Sequence, residues 1–146
     1  MKKLVSWLAV LMWMGLIFYF SHQPGEESSE LSGSVVDLVL SFVPFIDADT
    51  DWVHFLIRKG AHFFIYFVLG ILVINALRVS GVELKRSAWV TIVVCFLYAI
   101  SDEVHQLYIP GRSGEVSDVV LDTVGASFGV LLYIVFKRLL HKGEWL

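Results

Sequence analysis

The residues best suited to chemistry lie in a short stretch, 101–112, at the end of an apolar segment. Two adjacent carboxylates, Asp102 and Glu103, are followed there by His105, Gln106 and Arg112. A carboxylate and an imidazole are suited to general base and acid roles, and the forked donors of an arginine match a phosphate or a carboxylate. Ionisable side chains are costly at membrane depth, so their presence here indicates a functional site.

The composition indicates the elements that must position these side chains. Of the 146 residues, 57% are hydrophobic, and the mean hydropathy is +0.73. These values exclude an ordinary soluble domain and predict an all-α, polytopic membrane protein with four transmembrane helices. The whole chain, 1–146, is predicted to form one domain. The predicted spans are about 4–20, 60–79, 87–108 and 117–137.

The predicted outer loop, 21–57, contains seven acidic residues and no Lys or Arg. Within it, the apolar run 35–43 is too short to cross a bilayer, which takes about 20 residues. We therefore predict a short interfacial helix between the first and second spans.

The third and fourth spans carry charge into the apolar region. The uncharged run 88–100 is too short to span alone, so the third helix must continue through Asp102. Counting back about 20 residues from Lys137 places Asp118 and Asp122 within or at the edge of the fourth span. Carboxylates of two spans are thus expected near one membrane surface.

The basic residues predict the orientation, because Lys and Arg concentrate in cytoplasmic loops. Eight of the eleven fall on one side of a four-span topology: Lys2, Lys3, Arg78, Lys85, Arg86, Lys137, Arg138 and Lys142. We therefore predict that both termini are cytoplasmic and that the polar site faces the extracytoplasmic side. The other three, Arg58, Lys59 and Arg112, adjoin the intramembrane polar groups, which indicates a specific task.

Helical spacing predicts that these groups share one pocket. Arg58 and His62 are four residues apart, as are Asp118 and Asp122, so each pair lies on one helix face. The predicted catalytic residues are Asp102, Glu103 and His105, and the predicted substrate-binding residues are Arg58, Lys59, His62, Gln106, Arg112, Asp118, Asp122 and Gln23.

Two other interpretations of the same residues remain open. Arg58 and His62 could only pair with carboxylates and lock the bundle. A metal could bind through Asp102, His105, His62 and Asp118, but no tight ligand spacing such as His-Glu-x-x-His is present. No metal ligand is therefore assigned, and the cofactor is unknown.

Three motifs resemble those of VanZ-like membrane proteins: Arg58-Lys59-x-Ala61-His62, Ser101-Asp102-Glu103-x-His105-Gln106 and Asp118-Val119-x-x-Asp122-x-x-Gly125. The resemblance implies a bacterial cell-envelope membrane protein linked to glycopeptide (teicoplanin) resistance. Many members have Asn where this chain has Asp122.

Together these observations suggest a protein of the bacterial cytoplasmic membrane that acts on a lipid-linked or amphiphilic envelope molecule. The expected partners are a membrane lipid, a lipid-linked cell-wall precursor or a lipoglycopeptide antibiotic, and no nucleic acid. The alternative is a binding module that captures a lipid head group or an antibiotic acyl tail without turnover. A small proton-coupled transporter is less favoured, because no internal repeat is evident.

Overall fold

The computed structural model describes residues 1–25, 33 and 50–142, and this part of the chain contains four helices and no strand. The helices are α1 (Lys2–Ser21), α2 (Thr50–Val79), α3 (Leu84–Gln106) and α4 (Val116–Lys142). Four stretches are long and apolar enough to cross a membrane: Lys2–Ser21, Phe55–Val79, Leu84–Gln106 and Val116–Leu140. The prediction of an all-α protein with four transmembrane helices is confirmed. The predicted interfacial helix at 35–43 lies outside the described residues.

Several helix ends differ from the predicted spans; helix α4, for example, continues to Lys142, beyond the predicted end at 137. Helix α2 begins at Thr50, before the span predicted from about residue 60, because a helix can continue beyond its apolar part. Helix α3 ends at Gln106, two residues before the predicted end. Tyr108 and Ile109 donate backbone hydrogen bonds to residues three positions earlier, and Pro110 then has no amide hydrogen to continue the helix.

Helix α2 is central, and its most extensive contacts are with α4. The two helices run in the same direction, with the backbone of Phe63 against Gly125 and that of Phe67 against Gly129. A Cβ at either glycine would collide with the facing carbonyl oxygen. Small residues let membrane helices approach closely, and here they bring residues 59–63 of α2 within reach of the first turns of α4.

Helix α1 is held by side chains that bond to distant residues. Trp13 Nε1 donates to the Ile65 carbonyl oxygen at 2.9 Å, and the Tyr98 hydroxyl donates to the Met14 carbonyl oxygen at 2.7 Å. Trp7 Nε1 donates to Ser80 Oγ at 3.1 Å. These bonds fasten α1 to α2, to α3 and to the turn that joins them.

Polar and apolar side chains are arranged as expected for a protein in lipid. Large apolar side chains such as Leu131, Phe136 and Leu139 are exposed on the outside of the bundle. Carboxylates are buried inside it, with Asp122 0% exposed. The buried charges gather where α1 and α3 end and α2 and α4 begin, together with residues 107–115. We call this region the polar end, and the opposite end, with the turn 80–83, the basic end.

Candidate functional site

A tight turn after α3 directs Arg112 back toward the bundle. The Arg112 amide donates to the Ile109 carbonyl oxygen at 3.1 Å, Pro110 is the second residue, and Gly111 has a φ of +74°. This is the pattern of a type II turn, in which the third residue needs a positive φ. The Gly25 amide donates to the Pro110 carbonyl oxygen at 3.1 Å. The segment after α1 therefore meets the turn that carries Arg112.

The Arg112 guanidinium connects the end of α1 to α3. Its Nη2 donates to the Phe20 carbonyl oxygen at 2.8 Å and its Nε to the Gln23 carbonyl oxygen at 3.0 Å. Its Nη1 donates to Gln106 Oε1 at 3.4 Å. Burial, followed by the neighbouring Arg58 guanidinium, lowers the pKa of Arg112. These three bonds use three of the five N–H groups of the guanidinium, which leaves two for a ligand.

Two carboxylates of α3 are buried next to this guanidinium. Asp102 and Glu103 are each 5% exposed, and Gln106 Nε2 lies 3.5 Å from Asp102 Oδ2 and 3.2 Å from Glu103 Oε1. The other oxygen of Glu103 accepts the backbone amide of Glu115 at 2.8 Å. The carboxylate of Glu103 is thus held by two neutral donors.

Lys59 is the cation that meets the start of α4. Its Nζ contacts Glu115 Oε2 at 2.9 Å and also pairs with Asp118, which is 1% exposed. The hydrogen bond from Lys59 holds the pKa of Glu115 below its ordinary value. One ammonium therefore serves one exposed and one buried carboxylate.

His62 lies one turn further along α2 and faces Asp122. Its Nδ1 is 3.5 Å from Asp122 Oδ1. Neither oxygen of Asp122 has a hydrogen-bond partner among the described residues, and the same is true of Asp118 Oδ2. Potential ligand atoms of His62, Glu103 and Asp118 all lie within 4.8 Å of one another. Among the residues that the structure describes, these three are therefore the group best placed to hold a metal ion.

His105 turns toward α1 and is apart from this group. Its Nε2 is 3.2 Å from Nδ1 of His22, and its ring packs on Phe18 with ring centroids 4.6 Å apart. The structure thus pairs His105 with another histidine, whereas Asp102 and Glu103 bond to Gln106.

A cavity of about 370 Å³ opens between α1, α2 and α3 at the polar end. One part of its wall is polar and formed by Gln23, Arg58, His62, Asp102, Gln106 and Arg112. The rest is largely apolar, with Ile17, Phe20, Ile57 and Ile65. Lys59, Glu103, Asp118 and Asp122 do not line this cavity and lie among the contacts of α2, α3 and α4.

The model of the family described as VanZ/LLP1 matches residues 6–137. The chain belongs to the VanZ/LLP1 family. The resemblance noted in the sequence is therefore confirmed. No curated protein and no solved structure matches the chain.

In this VanZ/LLP1 protein the three sequence motifs meet at the polar end. Lys59 contacts Asp118, and His62 contacts Asp122, so the first motif pairs with the third. Glu103 of the second motif lies near His62 and Asp118. Asp122 gives His62 an ionisable partner where an Asn would offer a neutral one.

Sequence analysis did not identify Glu115 or His22 as site residues. Glu115 bonds Lys59 with its side chain and Glu103 with its amide, and His22 pairs with His105. A signal for Glu115 existed, because it directly precedes the first turn of α4 and a cation was expected nearby. No pattern in the sequence indicated His22, which follows the last residue of α1.

Proposed function

We propose that the cavity of this VanZ/LLP1 membrane protein binds the anionic head group of an amphiphile. The proposed ligand is a membrane lipid or a lipid-linked cell-wall precursor. The observation that carries the proposal is the presence of Arg58 and Arg112 in one cavity wall. Neither guanidinium forms a salt bridge within residues 1–25 and 50–142.

Two neighbouring guanidiniums repel each other, and a bound anion offsets that repulsion. Arg112 keeps two N–H groups after bonding α1 and Gln106, and Arg58 Nε has no hydrogen-bond partner among the described residues. Guanidiniums bind phosphate and carboxylate through paired hydrogen bonds, each stronger than one between neutral groups. The free donors therefore favour a phosphate or carboxylate head group.

The apolar part of the cavity supports an amphiphile over a free anion. Ile17 and Phe20 of α1 and Ile65 of α2 line it within the membrane-spanning segments. Burial of hydrocarbon contributes about 0.8 kcal/mol per CH₂ group, so an attached chain adds affinity that inorganic phosphate lacks. A lipoglycopeptide antibiotic, which combines charge with an acyl tail, is a second ligand of this chemistry.

The proposed setting is the bacterial cytoplasmic membrane, with both termini cytoplasmic and the cavity facing the extracytoplasmic side. The seven basic side chains described at the basic end support this orientation under the positive-inside tendency. An extracytoplasmic cavity would meet lipid-linked cell-wall intermediates. Binding there would link the protein to resistance against teicoplanin and other glycopeptides.

Binding can be tested with a polyprenyl phosphate and the matching uncharged polyprenol. The full chain would be placed in nanodiscs of phosphatidylcholine with EDTA present, and affinity measured by native mass spectrometry. We expect the phosphate to bind and the alcohol to bind at least about tenfold more weakly, since a charge-assisted hydrogen bond contributes about 1.5–3 kcal/mol.

The matched variants are Arg112→Ala, Arg58→Ala and Arg86→Ala. The first two remove cavity cations and should each weaken phosphate binding, while the third removes an exposed cation of the basic end and should leave it unchanged. Equal binding of phosphate and alcohol, or equal losses in all three variants, would rule out the proposed head-group site. In cells, Arg112→Ala should remove any teicoplanin resistance that the wild-type protein confers at equal expression.

Acid–base catalysis on the same ligand is a second candidate function, favoured because Asp102 and His62 both line the cavity. A carboxylate and an imidazole beside a bound head group are suited to base and acid roles. Mass spectrometry of envelope lipids from cells with wild-type protein or Asp102→Asn distinguishes turnover from binding. A product present only with the wild type supports catalysis, and identical profiles support a binding module.

A further inference from the structure

We propose that His62, Glu103 and Asp118 form a binding site for one divalent transition-metal ion. The three side chains come from α2, α3 and α4, and their potential ligand atoms all lie within 4.8 Å of one another. Ligand atoms lie about 2.0–2.2 Å from Zn²⁺, so two ligands of one ion are at most about 4.4 Å apart, and small side-chain rotations would bring the three atoms onto one ion. The proposal does not depend on the head-group site.

The charge around the cluster favours binding of a cation. Three carboxylates, Glu103, Asp118 and Asp122, are at most 5% exposed, and Lys59 is the only cationic Lys or Arg side chain bonded to any of them within the described residues. A buried carboxylate without a compensating charge is strongly unfavourable. A divalent cation bound among these carboxylates would offset their charge.

Unsatisfied oxygen atoms indicate where that ion is needed. Asp118 Oδ2 is buried and has no hydrogen-bond partner within the described part of the chain, although Oδ1 pairs with Lys59. Buried polar atoms without partners are rare in folded proteins, and each calls for a ligand, water or ion. The donor set of one imidazole and two carboxylates suits Mn²⁺, Fe²⁺ or Zn²⁺ better than a thiolate-preferring ion.

Asp122 occupies the place of a carboxylate that orients a metal-binding histidine. Its Oδ1 faces Nδ1 of His62 at 3.5 Å, which leaves Nε2 as the nitrogen available to the ion. Histidine ligands commonly donate their second ring N–H to a carboxylate, and loss of that partner lowers metal affinity about 10–100-fold. Asp122 is therefore proposed as a positioning residue.

The cluster adjoins the cavity through one of its members. His62 lines the 370 Å³ cavity, whereas Glu103 and Asp118 do not. Three protein ligands leave at least one position for water or for a phosphate oxygen. The proposed ion would thus stand beside the wall that holds Arg58 and Arg112.

The test measures metal binding alone, without an amphiphile. Full-length protein in nanodiscs is stripped with EDTA, supplied separately with Mn²⁺, Fe²⁺, Zn²⁺ or Co²⁺, freed of excess metal, and assayed by elemental mass spectrometry. We expect about one tightly bound ion per chain for at least one of these metals. Absence of stoichiometric binding for all four would overturn the proposal.

Variants identify the ligands, and His105→Gln is the matched control for His62→Gln. His62→Gln and Glu103→Gln should abolish stoichiometric binding, and Asp122→Asn should weaken it about 10–100-fold. His105→Gln, on the same helix as Glu103 but paired with His22, should bind as the wild type does. Equal binding by His62→Gln and the wild type would show an adventitious ion and overturn the proposal.

A measurement on the wild-type protein tests the proposal even if the variants do not fold. Pulsed electron paramagnetic resonance of the Mn²⁺-loaded protein should show coupling to one imidazole nitrogen. Bound Mn²⁺ without any nitrogen coupling would exclude His62 as a ligand. Because these measurements omit the amphiphile and the head-group assay contains EDTA, each proposal can fail separately.

Discussion

The two ends of the helix bundle hold their cations in different surroundings. At the basic end, Arg78, Lys85, Arg86, Lys137 and Arg138 are all exposed. At the polar end, Arg58, Lys59 and Arg112 are partly buried, and Lys59 and Arg112 each bond to specific atoms of other elements. Exposed cations can orient a membrane protein wherever they stand in a loop, whereas buried ones depend on their exact partners.

The largest predicted difference between the two ends is in stability, when one lysine is replaced at each end. Lys59→Met leaves Asp118, which is 1% exposed, without its ammonium partner. Breaking a buried pair costs about 3–5 kcal/mol. Lys85→Met removes an exposed charge and should change stability by no more than about 0.5 kcal/mol. The free energy of unfolding in detergent, measured with SDS and EDTA present, tests both values.

A double variant sharpens that result. Lys59→Met combined with Asp118→Asn removes both charges, so it should be more stable than Lys59→Met alone. If the double variant is no more stable than the single one, the loss does not arise from an unpaired carboxylate.

The next largest effect should come from exchanging arginine for lysine. In Arg112→Lys, one ammonium replaces three donors that reach Phe20, Gln23 and Gln106. The lysine has fewer donors to divide between these protein atoms and the phosphate. Loss of one hydrogen bond to the charged phosphate costs about 1.5–3 kcal/mol, so affinity for polyprenyl phosphate should fall about tenfold to a hundredfold. Arg86→Lys should bind normally. Comparable affinity in both variants would mean that charge alone suffices at the polar end.

The glycines of the two turns provide a third comparison, because both have positive φ. Gly81 has a φ of +94° with open space around it, and Gly111 has a φ of +74° and lies against Gly25. A Cβ in the left-handed region costs roughly 1–2 kcal/mol at either position. We expect Gly81→Ala and Gly111→Ala to lose similar stability, but only Gly111→Ala to weaken phosphate binding. Unfolding and binding measured on the same samples separate the two effects.

The smallest effect concerns Glu115, whose side chain is 42% exposed. Its lowered pKa means that its bond to Lys59 stabilises the fold above the ordinary glutamate pKa of 4.5, and this contribution is lost as pH falls through the lowered value. Glu115→Gln should therefore cost about 0.2–1 kcal/mol at pH 7 and less under acid. Thermal unfolding at pH 7 and below pH 4 measures the difference. A cost that persists in acid would show that the carboxylate charge is not its source.

The number of helices and their membrane-spanning character were predictable, because a long uncharged run in a membrane has few stable structures other than a helix. Helical spacing also placed Arg58 with His62, and Asp118 with Asp122, on one face of each helix, but it did not pair His62 with Asp122. The direction of His105 was not predictable, because spacing places a residue on a face of its own helix without identifying the neighbour opposite. That neighbour depends on how α1 packs, and here it is Phe18 and His22.

Arg112 also caps α1, because its guanidinium donates to the carbonyl oxygen of Phe20 in the last turn of that helix and to that of Gln23, two residues beyond it. A helix leaves its last carbonyls without internal partners, so this cation completes the hydrogen bonding of α1 from outside it. Any anion that the cavity holds through Arg112 shares its donor with α1. The free energy of docking α1 and the affinity for that anion are then thermodynamically linked, and each alters the other to the same extent.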